Sequence, residues 1–218
     1  MNHKVISIRE LKKAGKWRTE LFARAISKNT TKWPIVQISE IANESTKAVL
    51  PRELDGEQVL YVGLENVEPI TGSPIELNPQ NKSNIRSRSK IFTANSILYG
   101  RLRPYLRKAL ISGDEIPSGI CSTEFIILIP KQDKVHPEFL RLMLVSKSVT
   151  EQLARLQTGA SLPRISAKDL FSLKVGLPPM KVQKGMIDKY LTHKRRYAEA
   201  LKIVSAFAEI IDDLVASC

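Results

Sequence analysis

The stretch SILYGRLRPYLRKALI, residues 96–111, carries Arg101, Arg103, Arg107 and Lys108 among apolar residues, has one proline in its middle and contains no acid. Read as a strand, it alternates with period two: Leu98, Gly100 and Leu102 face one side, and Tyr99, Arg101 and Arg103 the other. Pro104 donates nothing to a sheet ladder and holds Arg103 extended, so the strand bends, turns or lies at an edge there. A second short strand then runs from Leu106 to Ile111. The charges are presented together, on a segment that otherwise has the composition of a core strand.

The surrounding sequence sharpens that contrast. Lys and Arg number 34 against 22 Asp and Glu, a formal charge of +12, which favours a polyanionic partner such as nucleic acid or an anionic membrane face. Residues 82–108 add Lys82, Arg86, Arg88 and Lys90 to the four cations above, again with no acid. Residues 40–76 do the opposite, with eight acids and only Lys47 and Arg52 as bases. That segment repels a phosphate backbone, whereas the basic block makes one cationic surface.

The strand reading extends to both flanks. VLYVGLENV, residues 59–67, is rich in β-branched and aromatic residues, with TGS at 71–73 as the turn after it. CSTEFIILIP, residues 121–130, reads as a central strand closed by Pro130. Pro137 suits a first helical position, and Phe139, Leu140, Met143, Leu144, Leu153 and Leu156 follow helical spacing up to a cap at Gly159. SAKD, residues 166–169, has the form that caps a short helix, and SLKVGLP adds a strand. The run WPIVQISEIA mixes strand and short helix, and residues 4–28 predict a short strand and a weakly amphipathic helix.

Pro178 and Pro179 interrupt this pattern. Beyond them Ile187, Tyr190, Lys194, Tyr197, Leu201, Val204, Ala208, Ile211 and Val215 recur alternately three and four apart, a 3.5-residue repeat that makes a coiled-coil seam. One helix cannot cover so narrow a stripe by itself, so it needs a second helix or folds back on its own globule. The expected class is α+β: a leader strand and helix over 1–32, a mixed sheet with packed helices over 33–178, and a long coiled-coil helix over 179–218.

Catalytic chemistry has little to stand on. His3, His136 and His193 are scattered, Cys121 and Cys218 lack metal-ligand spacing, and no glycine-rich phosphate loop is present. Glu53, Asp55 and Glu57 with Lys82 are the residues a metal-dependent nuclease would use, at a spacing that is not diagnostic. Cys121, inside an apolar run, reads as a buried free thiol of a reducing cytosol. The apolar runs are too short for a membrane span, which makes cytoplasmic location the expectation.

In order along the chain, YVGLENVEPITG, NSILYGRLRPYLRKALI, CSTEFIILIP, HPEFLRLML, GASLPRISAKDLFSLKVGLPP and the heptad helix closely resemble one target-recognition half of the specificity subunit of type I restriction-modification systems. The resemblance runs from about residue 33 to the C-terminus, and VISIRELKKAGKWRTELF is similar to the leader ahead of some such domains. It implies a non-enzymatic reader of double-stranded DNA with no cofactor. In that family two recognition domains each read half of a split target, and two long antiparallel helices hold them apart and dock methyltransferase subunits. A restriction or translocase subunit is a further partner. One recognition domain and one helix here fit either a half-subunit that forms a homodimer or one half of a longer chain.

The residues themselves suggest the division of labour. Arg101, Arg103, Arg107 and Lys108, with Arg86, Arg88 and Lys90, neutralise phosphates, while Tyr99 or Tyr105 packs against sugar and phosphate. Base edges need loop donors and acceptors, for which Asn81, Asn84, Arg86, Arg88, Ser161 and Arg164 are the candidates. Ser122, Thr123 and Glu124 hold a strand end. The bland alternative pairs Arg101 and Arg107 with the acids of residues 40–76. A different class of protein, a coiled-coil scaffold with a non-specific nucleic-acid-binding surface, is the competing reading.

Overall fold

The computed structural model describes residues 32–114 and 116–216. The leader expected over residues 4–28 lies outside the described residues.

The run FIILIP forms strand β10 (Phe125–Pro130), which pairs antiparallel with β2 (Ala42–Ser45) on one side and β7 (Ile97–Gly100) on the other. Strand β8 (Ala109–Ile111) completes the sheet in the order β2-β10-β7-β8. A second sheet has the order β3 (Ala48–Val49), β6 (Ser89–Phe92), β9 (Gly119–Cys121), β4 (Gln58–Val62) and β5 (Pro79–Asn81), with only β4 and β9 parallel. Strands β1 (Ile35–Gln37) and β11 (Lys174–Gly176) make a separate antiparallel pair.

Both faces of the first sheet are covered. Leu98, Leu110, Phe125 and Ile127 meet Val62, Phe92 and Cys121 of the second sheet. Their alternate neighbours Ile97, Tyr99, Ala109, Ile126 and Leu128 face a helical layer that supplies Leu140, Leu144, Val149, Leu153 and Leu170. A sheet buried on both sides needs continuous apolar runs rather than alternation, which is why FIILI has no polar position. The architecture is therefore helix on sheet on sheet.

The helical layer begins with α1 (Ile38–Ile41), which directly succeeds β1. Helix α2 (Pro137–Leu144) starts at the proline, with the His136 ring accepting from the Glu138 amide. The single helix expected up to Gly159 is two: Ser146 caps α3 (Lys147–Ala154) by accepting from the Val149 amide, which breaks the run after Leu144. Gly159 lies beyond the end of α3 in the loop, with φ +91°. Helix α4 (Ala167–Phe171) has the Ser166–Asp169 capping box expected from its sequence. The strand expected over 59–67 ends at Val62, where Asn66 turns the chain by accepting from the Gly63 amide.

Helix α5 (Met180–Ala216) is 37 residues long. Its root is fixed by Gln183, fully buried, whose Oε1 accepts from the His136 amide (2.8 Å) and whose Nε2 donates to the Pro178 and Lys134 carbonyls. Ile187 adds an apolar anchor in the helical layer. Further along, Tyr197, Leu201, Val204, Ile211 and Val215 of the expected seam are exposed, as are Ile203, Phe207 and Ile210 beside it. No helix among the described residues is long and apolar enough to cross a membrane.

Cys121, on β9, is buried as expected, and burial pushes its thiol up to about 12 from an ordinary value of 9.0. At pH 8 iodoacetamide should leave Cys121 unmodified in the folded chain and alkylate it once denaturant is added, as peptide mass spectrometry would read. The raised value also sets the sign of the pH dependence. The contribution of the neutral thiol is fully present below about pH 9 and is lost as pH climbs toward about 12, because only the unfolded chain ionises in that window.

Candidate nucleic-acid interface

Strand β7 ends at Gly100, where the chain leaves the sheet and enters a loop. The Arg101 amide donates to the Glu124 carbonyl (2.8 Å), its Nε to the Ile165 carbonyl (3.1 Å), and the Arg103 amide to the Pro163 carbonyl (2.7 Å). A tight turn at Pro104–Leu106 then lies between Arg103 and Arg107, both left-handed with φ +49° and +53°. Left-handed backbone is unfavourable for a side chain larger than hydrogen, so these two arginines are held where they are by the surrounding bonds. The expected extended geometry at Arg103 is thus corrected, while of the alternatives expected at Pro104 the chain takes the turn.

Two loops distant in sequence meet at this end of the molecule, and a third segment reaches it through Lys90 of β6, whose Nζ donates to the Phe125 carbonyl (2.7 Å). Phe125 pairs with Gly100, which carries the arginine loop onward. The 158–164 loop closes against it through a bridge between Leu102 and Arg164. Asn84, Arg86, Arg88, Arg103, Tyr105 and Ser161 are exposed, and Arg101, Arg107 and Lys108 are half-buried. No carboxylate among the described residues pairs with Arg86, Arg88, Arg101, Arg103 or Arg107. The alternative pairing of Arg101 and Arg107 with the acids of residues 40–76 is not formed.

Four residues fall differently from the sequence reading. Tyr99 is fully buried under the helical layer with its hydroxyl unpartnered, so it is withdrawn from any surface, and burial raises its pKa. The error lies in assuming one solvated face for a strand that has none. Lys90 and Lys108 give their ammonium groups to backbone carbonyls, the latter to Leu64 (2.8 Å). Arg164 makes a two-point pair with Glu124, with Nη2 to Oε1 at 2.8 Å, so its charge is matched inside the protein and it fastens the 158–164 loop. Ser122 accepts from the Glu124 amide and holds that strand end, in line with its expected role. Asn81 caps the turn Lys82–Asn84 by accepting from the Ser83 amide.

A cationic cleft adds one residue the sequence reading missed as a site residue, Arg52. The short turns Pro51–Glu53 and Lys82–Asn84 pack together although β3 and β5 lie at opposite edges of their sheet. Between them opens a cleft of about 320 Å³ lined by Arg52, Lys82 and Arg86, with no acid in its walls, and Lys82 gives its ammonium to the Leu54 carbonyl, which leaves the exposed Arg52 and Arg86 as its cations. Arg52 was hidden because it sits within the acidic stretch. Only the pairing of β3 with β6, which carries it toward Arg86, reveals it. Glu53, Asp55 and Glu57 do not converge, and among the described residues no group of acids, histidines or cysteines is placed to hold a metal ion.

The fold and its basic end define a class: an α+β globule with a cationic loop cluster and a long projecting helix. Residues 30–196 match the family model of the type I restriction modification DNA specificity domain, and the chain belongs to that family. It is similar to the type I restriction enzyme EcoDI specificity subunit of Escherichia coli, 24% identical over 155 residues, which cover 71% of this chain and 33% of that protein. Against the HindI specificity subunit of Haemophilus influenzae it is 29% identical over 101 residues, 45% of this chain and 22% of that one. Among solved structures, the HsdS subunit from Thermoanaerobacter tengcongensis superposes with TM-score 0.67 at 23% identity, covering 77% of this chain and 43% of the other. The chain thus spans between a fifth and a half of the relatives it matches.

Proposed function

We propose that this chain is a non-catalytic recognition subunit that reads one half of a bipartite double-stranded DNA target. Residues 33–178 are the recognition domain in this reading, and 179–218 the spacer and pairing helix. The observation that carries it is the joining of residues 101–103 to the 158–164 loop at one end of the sandwich, with Arg86, Arg88 and Arg103 exposed and unmatched by any carboxylate among the described residues. Arg103 and Arg107 take phosphates, the cleft of Arg52 and Arg86 seats another, and Asn84, Arg88 and Ser161 are the base-edge candidates. Family membership supports the same reading and disfavours the scaffold alternative.

The exposed seam of α5 is where a second copy of the chain pairs, and the wider apolar face beside it is where methyltransferase subunits dock, with a restriction or translocase subunit as a further partner. Sedimentation of the intact chain should give a dimer, and a monomer at high protein concentration would remove the pairing. The function itself is tested by titrating the chain, co-purified with its methyltransferase partner, onto DNA carrying the mapped methylation target and onto scrambled DNA across salt concentrations. A sequence preference with a steep salt slope is expected. Equal affinity for unrelated polyanions would favour the scaffold instead.

A further inference from the structure

We propose that Arg141 and Tyr190 form a joint that sets the direction in which α5 leaves the globule, and that through it they position one DNA-reading end relative to the other; the second clause rests on the proposed function. Arg141 is 1% exposed, in the middle of α2. Its Nε and Nη2 hold Glu138 at 3.0 and 2.7 Å, its Nη1 donates to the Ile70 carbonyl (3.1 Å), and its guanidinium lies 5.1 Å from the centre of the Tyr190 ring. The Tyr190 hydroxyl donates to the Thr71 carbonyl (3.1 Å). One loop therefore grips both α2 and α5.

That loop is itself tied to the basic end. The Ile70 amide donates to the Arg107 carbonyl (3.0 Å), and Ile70 and Gly72 are both left-handed. Apolar residues in place of both Arg141 and Glu138 would avoid the desolvation a buried ion pair suffers, so the pair as a whole gives little stability that packed apolar side chains would not. What it adds is direction: a planar donor fork and a ring face fix orientation in a way that apolar contact does not. Gln183, Ile187 and Tyr190 lie on one stripe of α5, and Tyr190 is the outermost of these anchors. From residue 190 to 216 the helix extends roughly 39 Å at about 1.5 Å per residue. A tilt of about ten degrees at the joint therefore moves the tip by roughly 7 Å, or about two base-pair steps along a duplex.

The test uses full-length chain bearing spin labels at Ala94→Cys and Lys202→Cys, with Cys218→Ser, diluted into excess unlabelled chain. Pulsed electron resonance reads the distance distribution. Tyr190→Leu keeps apolar volume but removes ring face and hydroxyl, and should at least double the width of the distribution. Tyr190→Phe keeps the ring face and loses only the hydroxyl bond to the Thr71 carbonyl, and should broaden the distribution less than Tyr190→Leu does. On DNA, Tyr190→Leu should accept half-targets at spacings the wild type rejects while holding an isolated half-target as before. A Tyr190→Leu distribution as narrow as wild type, or an unchanged spacing preference, overturns the joint. Broadening in a protein that shows no sequence preference even as wild type supports the mechanical joint and removes the DNA reading.

Discussion

Replacing Arg103 and Arg107 together by alanine should lower the salt dependence of DNA binding by about 1.8 in the slope of log affinity against log salt, and weaken binding roughly thirtyfold near 0.15 M salt. The loss should be the same for target and scrambled DNA, because contacts to phosphates carry no sequence information. Neither side chain has a carboxylate partner among the described residues, and alanine adopts the left-handed backbone no less readily than arginine, so the melting temperature should stay put. Fluorescence anisotropy at four or five salt concentrations measures slope and affinity together. An unchanged slope would mean that the phosphate path runs elsewhere on the molecule. A loss confined to the target sequence would make these arginines readers of bases.

The second large effect concerns stability. Arg141→Met should destabilise the chain by about 3 kcal/mol, since it leaves the Glu138 carboxylate, largely covered, without its partner and the Ile70 carbonyl without a donor. For a chain of this size that corresponds to a fall in melting temperature of roughly 6–12 °C. The double variant Glu138→Met, Arg141→Met should recover much of the loss, because removing both charges abolishes the desolvation penalty along with the bond. Thermal unfolding of the two variants beside wild type decides the matter. A double variant no better than Arg141→Met alone would show that the arginine acts through packing rather than charge.

The parts of the molecule that were readable from sequence are those fixed by local chemistry. The Ser166–Asp169 box, Pro137 at a helix start and the apolar run of β10 each state their structure within a few residues. Tyr99 was misread because its burial depends on the helical layer formed by residues far along the chain, and no local pattern encodes a second covered face. Similarly, Ser146 has the residue type of a cap, but the apolar spacing runs straight through it and hides the break. The basic end was legible as a block of charge and illegible as a site. Which cations are free is decided by acceptors such as Glu124, Phe125 and Leu64 that only the fold brings near. Arg141 gives no signal in the sequence because it lies between apolar helix positions, where a cation is taken for a solvated residue until its partners are seen.

The heptad stripe of α5 begins inside the globule and ends outside it, and this matters to anyone exchanging recognition specificities between such proteins. A chimera fused at Pro178 or Pro179 would seat a foreign Gln183, Ile187 and Tyr190 on a host surface they do not match. A crossover placed after residue 194 transplants the whole socket with its peg, leaving the recipient's rod to supply only reach.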